Sequence, residues 1–199
     1  MRDRWLRKHE AVNCTAPSDL ILRPIRTDDA PALQAFHLRL SDDTVRNRFF
    51  GPHRELTDQE ARRFSSLTPG CEVAFVATSV DDDIVAVGRY VRLDLGDAAE
   101  VAFVVQDSHQ HRGIGTSLLT LLARVAWDDG IRRLVADTLT TNSAMIGIFL
   151  HTPAAVTVVT TRRSGSVVHL VMTLTQPPTV ASAPLLPGLD RTLEAFSRR

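Results

Sequence analysis

One stretch constrains this chain more than any other: Glu100-Val-Ala-Phe-Val-Val-Gln-Asp-Ser-His-Gln-His-Arg-Gly-Ile-Gly-Thr116. A β-rich run breaks into a loop with the pattern Gln110-x-x-Gly113-x-Gly115, and the loop opens directly onto a helix. That helix, expected over Gly113–Asp129, carries Ile114, Leu118, Leu121, Leu122 and Val125 as an apolar stripe, with Gly130 as its stop. Glycines in such a loop let successive backbone N–H groups turn inward, and a helix N-terminus adds unsatisfied donors and positive potential. Together they make a nest for phosphate or pyrophosphate, to which the Arg112 guanidinium and the Thr116 hydroxyl can add contacts. It is not a Walker loop, because no Gly-Lys-Ser/Thr occurs. Nor is it the dinucleotide fingerprint, because the third glycine and the βαβ order are missing.

The flanking elements follow from periodicity and punctuation. Leu20–Ile25 reads as a short strand ended by Thr27, Asp28 and Asp29. Pro31 suits the first turn of a helix carrying Leu33, Phe36 and Leu40, and a second helix is expected after Ser41. Thr57-Asp-Gln-Glu60 has capping-box spacing and starts a third. Glu72–Val80, Ile84–Leu93 and Ala99–Gln106 read as consecutive hairpin strands. Beyond the long helix come a strand at Ile131–Leu139, a helix at about Ser143–Leu150, and strands at Ala155–Thr161 and Val167–Leu174. This order predicts one α/β (α+β three-layer) domain rather than a doubly wound sheet. The expected domain spans 19–175, after an N-terminal arm at 1–18 and before a Pro-rich tail at 176–199 with a short helix after Asp190.

Composition removes several classes of function. The length of 199 residues suits a single core, and 23 basic against 23 acidic residues argues against a nucleic-acid partner. No apolar run approaches a membrane span, and the charged N-terminus has no apolar stretch behind it, so neither membrane insertion nor secretion is expected. Cys14 and Cys71 make no disulfide framework and read as spectators. A cytoplasmic protein is the expectation. His109 and His111 lack accompanying carboxylates or cysteines, so no metal site is expected.

Strand, Gln-x-x-Gly-x-Gly loop and amphipathic helix together resemble the GNAT superfamily of acetyl-CoA-dependent N-acetyltransferases, over about Leu20–Leu174. The resemblance implies the GNAT fold, a central mixed, mostly antiparallel sheet of about seven strands with helices on both faces. It implies acetyl-CoA as cofactor and CoA as product, with pantetheine along the backbone of Phe103, Val104 and Val105. The pyrophosphate would lie on Gln110, His111, Arg112, Gly113, Ile114, Gly115 and Thr116, where His111 replaces a small residue common in the family. Asn142 stands where the family's asparagine contacts CoA; its plainer reading is a helix N-cap, and both can hold. Seven residues on, many members carry a tyrosine as general acid, and this chain has Phe149, whose ring would pack near the CoA sulfur. Its one tyrosine, Tyr90, falls on another predicted strand, and Thr152-Pro153-Ala154 replaces the usual Gly-Phe.

A narrower likeness lies in Arg23-Pro-Ile-Arg-Thr-Asp-Asp29, Phe36-His-x-Arg-Leu-Ser41, Arg48-Phe-Phe50 and Ala99–Val105, which are similar to the catalytic domain of bacterial protein-lysine acetyltransferases. In that group the glutamate at Glu100 is the general base. From the residues alone Glu100 is either a solvent-facing charge or a carboxylate partly desolvated against Val101–Val105. Phe49 and Phe50 read as helix-end packing, although the early helices border the acceptor site in this fold. The function implied is acetyl transfer to an amine, a protein lysine by preference, directly within a ternary complex. A small-molecule amine acetyltransferase and a catalytically silent acyl-CoA-binding regulatory module are the alternatives, and a homodimer is left open.

Overall fold

β-branched runs separated by acidic and glycine turns have few options other than antiparallel pairing, and the computed structural model shows that pairing across most of a seven-stranded sheet. The structure describes residues 17, 19–93, 96–151, 156–175 and 177. The expectations for the N-terminal arm, Cys14, Thr152-Pro153-Ala154 and most of the tail lie outside them.

The strands are β1 (Ile21–Pro24), β2 (Glu72–Thr78), β3 (Ile84–Leu93), β4 (Ala98–Val105), β5 (Arg133–Leu139), β6 (Val156–Ser164) and β7 (Val167–Leu174). Their order in the sheet is β1-β2-β3-β4-β5-β7-β6, and β4 against β5 is its single parallel pairing. The helices are α1 (Ala30–Leu38), α2 (Asp42–Phe49), α3 (Asp58–Ser65), α4 (Ile114–Asp128) and α5 (Ser143–His151).

Helix starts follow the expected chemistry. The Ser41 side chain accepts from the Thr44 amide at the start of α2, and Thr57 and Glu60 form the reciprocal box at α3. α4 ends one residue short of expectation, with Gly130 N–H donating to the Trp127 carbonyl and Ile131 N–H to Ala126. That pair of bonds is a Schellman closure, and it holds Ile131 in the core rather than in β5, so the strand starts at Arg133.

The sheet separates two apolar layers. One packs α4 and α5 on the face carrying Val73, Phe75, Ala99, Val101, Leu134 and Ala136. All five stripe residues of α4 are buried there. The other packs α1 and α3 on Ala74, Val76 and Val87. β1 is anchored by Arg23, whose guanidinium bonds both carboxylate oxygens of Asp29 at 2.8 Å. That cation, with the Arg26 amide, holds the Asp29 carboxyl below the usual range although burial alone would raise it.

Candidate active site

β4 and β5 are in register for only three pairs, Ala98↔Arg133, Ala99↔Leu134 and Glu100↔Val135. Beyond them the two strands part, and the β5-facing edge of β4 from Val101 onward has no strand beside it. The opening leads into a cleft of about 700 Å³, a volume suited to a small-molecule or cofactor site. Glu100–Val105 form one side, Asp137 and Thr138 of β5 the other, and Asn142, Ala144, Met145 and Ile148 line the α5 end. Across the mouth stands α2, with Asp43, Thr44, Asn47 and Arg48, followed by Phe50.

The loop between β4 and α4 is braced against α2. The Asp107 carboxylate accepts from the Ser41 hydroxyl (2.6 Å), the Ser41 amide (3.0 Å) and the Thr44 hydroxyl (2.8 Å). Burial would raise its pKa, and these bonds to Ser41 and Thr44 hold it below the usual range. Gln110 donates its amide to the Thr44 hydroxyl (3.2 Å) and the Val105 carbonyl (3.1 Å). The backbone then turns through left-handed conformations at His111 (φ 59°) and Gly113 (φ 78°). Gly113 caps α4 without a side chain to fill the cap, the first turn carries no acidic residue, and its amides have no intrahelical acceptor. A Cβ on Gly113 would meet nothing within 4 Å, whereas one on Gly115 would lie 2.7 Å from Ile148 Cδ1 and 3.3 Å from Phe103 Cε2. The two glycines therefore do different work: Gly113 makes the turn, and Gly115 lets α4 and α5 approach.

Most residues singled out from the sequence line this one cleft. Glu100, Phe103, Val104, Val105, Gln110, His111, Gly113, Ile114, Gly115, Thr116 and Asn142 all do. Asn142 also caps α5, its Oδ1 accepting from the Met145 amide at 3.1 Å. Arg112 and Phe149 do not line it. The Arg112 guanidinium turns outward and bonds both oxygens of Asp19 at 2.6 and 2.8 Å. Phe149 is 1% exposed, lying in the core with its ring parallel to Phe103 at 6.3 Å between centroids. An apolar ring at an inward-facing position of α5 is drawn into the core, so Phe149 stands behind the cleft wall. Tyr90 is no replacement acid: buried, it donates to Asp129 at 2.8 Å, and burial, then that carboxylate, push its pKa up. Phe49 packs against His37 and His53 as expected of a helix end, while Phe50 is half exposed in a left-handed conformation (φ 62°) and faces the cleft.

Glu100 is solvent-exposed at the cleft mouth rather than set into the apolar wall. Its surroundings carry charge instead. Arg48 and Arg89 are both within electrostatic reach of Glu100, and burial, followed by their mutual repulsion for Arg48, lowers the pKa of each guanidinium. Arg89 also faces Glu72 at 3.7 Å. Arg48 lies over the Phe49 ring at 5.2 Å, and among the described residues its guanidinium has no hydrogen-bonding partner. The sequence gives no sign of Asn47, Asp137 and Thr138, and it shows Arg48 only within the likeness to the protein-lysine acetyltransferases, without a role. Their signal is tertiary, since α2 and β5 meet β4 only in the folded chain.

Residues 19–152 match the family model described as Acetyltransferase (GNAT) domain. The structure is similar to the GNAT domain of S. lividans PAT, at 36% identity and TM-score 0.70, over 77% of this chain and 89% of that one. The chain belongs to the GNAT acetyltransferases. Lower in identity but similar in fold are yncA from Salmonella typhimurium, solved with its cofactor acetyl-CoA (16% identity, TM-score 0.60, 83% and 100% of the two chains), and RimL, a ribosomal L7/L12 alpha-N-protein acetyltransferase in complex with CoA (17%, 0.63, 81% and 97%). This GNAT protein is thus an N-acetyltransferase that uses acetyl-CoA to acylate an amine. Its own residues fit that cofactor. From Val101 to Val104 the edge of β4 has no strand beside it and can offer amides and carbonyls to an amide-bearing chain, and Gly113 leaves open space at an uncapped helix N-terminus. Among the described residues no helix is long and apolar enough to cross a membrane.

Proposed function

We propose that this GNAT enzyme acetylates lysine side chains of proteins, by direct transfer in a ternary complex, with Glu100 as the general base. The observation that carries the reading is the 36% identity with the GNAT domain of S. lividans PAT, over 77% of the chain. The accessible carboxylate at the mouth supports it. A lysine must arrive as an ammonium and attack as a free amine, so a base has to take one proton, directly or through one water. Glu100 sits on β4 between the unpaired strand edge and the α2 wall, where an entering side chain would meet it. The loop from Gln110 to Thr116 holds the pyrophosphate in this reading, and residues 19–175 are the catalytic domain. A panel of lysine peptides, spermidine and free amino acids, assayed with acetyl-CoA, tests the acceptor. Acetylation of lysine peptides with kcat/KM well above the polyamine supports the proposal. Turnover confined to small amines replaces it with a small-molecule acetyltransferase, and none with any amine favours a silent acyl-CoA-binding module.

A further inference from the structure

The inner wall of the cleft holds a polar atom that none of the described residues uses. Thr138 points inward from β5, on the same side as Leu134 and Ala136, and is 1% exposed, yet it lines the cleft. Its Oγ1 is buried without a hydrogen-bond partner among the described residues. Valine has the same shape and an equal liking for strands, so packing alone gives no reason for a hydroxyl here. A buried polar group left unsatisfied calls for a ligand.

Its position says which part of the ligand. The β4–β5 register ends at Glu100↔Val135, so Thr138 stands three residues into the gap, across from the unpaired edge of β4. Around it the inner wall is apolar: Val101, Phe103, Met145 and Ile148. Phe149, where a proton donor would come from α5, is buried against Phe103 and has none to give. Asp137, the neighbouring β5 residue on the cleft, already accepts from His169 Nδ1 at 2.5 Å.

We propose that the Thr138 hydroxyl donates a hydrogen bond to the sulfur of acetyl-CoA and stabilises the charge that gathers there as CoA leaves. In the step served, the amine nitrogen forms a bond to the acetyl carbon and the C–S bond breaks. The sulfur keeps the electron pair, and the proton from nitrogen passes to Glu100. Thr138 retains its own proton throughout, because an alcohol is a far weaker acid than a thiol. It is a donor on the buried wall of the cleft, aimed where charge develops.

The test compares wild type, Thr138→Val and Thr138→Ser. Calorimetry measures affinity for CoA and for desulfo-CoA, which lacks only the sulfur, at a pH above the ordinary thiol value of about 8.5. Initial rates with one amine give kcat. Thr138→Val is expected to bind CoA roughly 10-fold more weakly, as for a lost bond to a charged group, with desulfo-CoA affinity kept within about twofold. Its kcat falls roughly 10-fold or more, and Thr138→Ser restores both. Equal losses for the two ligands would place the hydroxyl on another part of the cofactor or in the shape of the cleft, and would overturn the proposal. Unchanged CoA affinity and kcat would overturn it as well. Because the hydroxyl has no partner among the described residues, Thr138→Val should unfold in urea no earlier than wild type; if it folds poorly, Thr138→Ala carries the same ligand comparison.

Discussion

At the scale of single residues, the site is a set of groups whose needs the fold leaves unmet, and Arg48 shows it most plainly. A half-buried guanidinium beside Arg89, with a ring beneath it and no hydrogen-bonding partner among the described residues, is a cost to stability. Arg48→Met is therefore expected to unfold in urea at the same or a higher midpoint than wild type, and to lose kcat/KM for the amine because charge at the acceptor wall is gone. A drop in midpoint with unchanged kinetics would make Arg48 a structural residue. Phe149 is its opposite, a group whose needs the fold meets in full. Phe149→Ala should cost about 3–5 kcal/mol in urea unfolding, as for other buried aromatic truncations. A loss below about 1 kcal/mol would mean the ring is not packed as described. The sequence located Phe149 by spacing on α5, but spacing cannot tell a cleft-facing ring from one turned behind Phe103. The pairing of Arg112 with Asp19 is hidden for a similar reason, since Asp19 lies far off in sequence.

At the scale of elements, what was legible is what local periodicity encodes. The β-rich runs of β2–β4, the apolar stripe of α4 and the caps at Ser41 and Thr57 are all written within a few residues, and the structure has them within one or two positions. The parting of β4 from β5 is not local. It arises because residues 98–100 and 133–135 pair while their continuations do not, a matter of tertiary register. The loop between β4 and α4 depends on one glycine. Gly113 has φ 78° with open space about its absent Cβ, so Gly113→Val strains the turn and fills the space before the uncapped α4. We expect at least about 10-fold weaker CoA binding by calorimetry in Gly113→Val, with most of the affinity kept in Gly113→Asn, since asparagine tolerates the left-handed region. Wild-type CoA affinity in Gly113→Val would remove this loop from the cofactor site.

At the scale of the whole molecule, buried and braced carboxylates tie the layers together, and they set how the fold responds to acid. Glu72 joins β2 to α3 through Arg63 at 2.5 and 3.0 Å and also accepts from the Thr68 amide. The Arg63 bonds chiefly hold its pKa below the usual range against the opposing effect of burial, and Asp29 and Asp107 are depressed as well. A depressed folded pKa stabilises above the ordinary carboxylate value and loses that contribution as pH falls through the folded one. The urea midpoint should therefore fall as pH drops below about 4, and Glu72→Gln should start lower at neutral pH and fall less. A midpoint indifferent to acid would contradict these ties. The same layered frame holds Glu100 at the cleft mouth and the parted strands behind it, the arrangement on which the proposed acetyl transfer to lysine with Glu100 as base rests. The direct measurement is the rate of CoA release from acetyl-CoA on one lysine peptide, wild type against Glu100→Gln, with both proteins saturated in acetyl-CoA. Glu100→Gln is expected to lower kcat roughly 10²–10⁴-fold with calorimetric CoA affinity unchanged; equal rates in the two proteins would show that Glu100 is not the base.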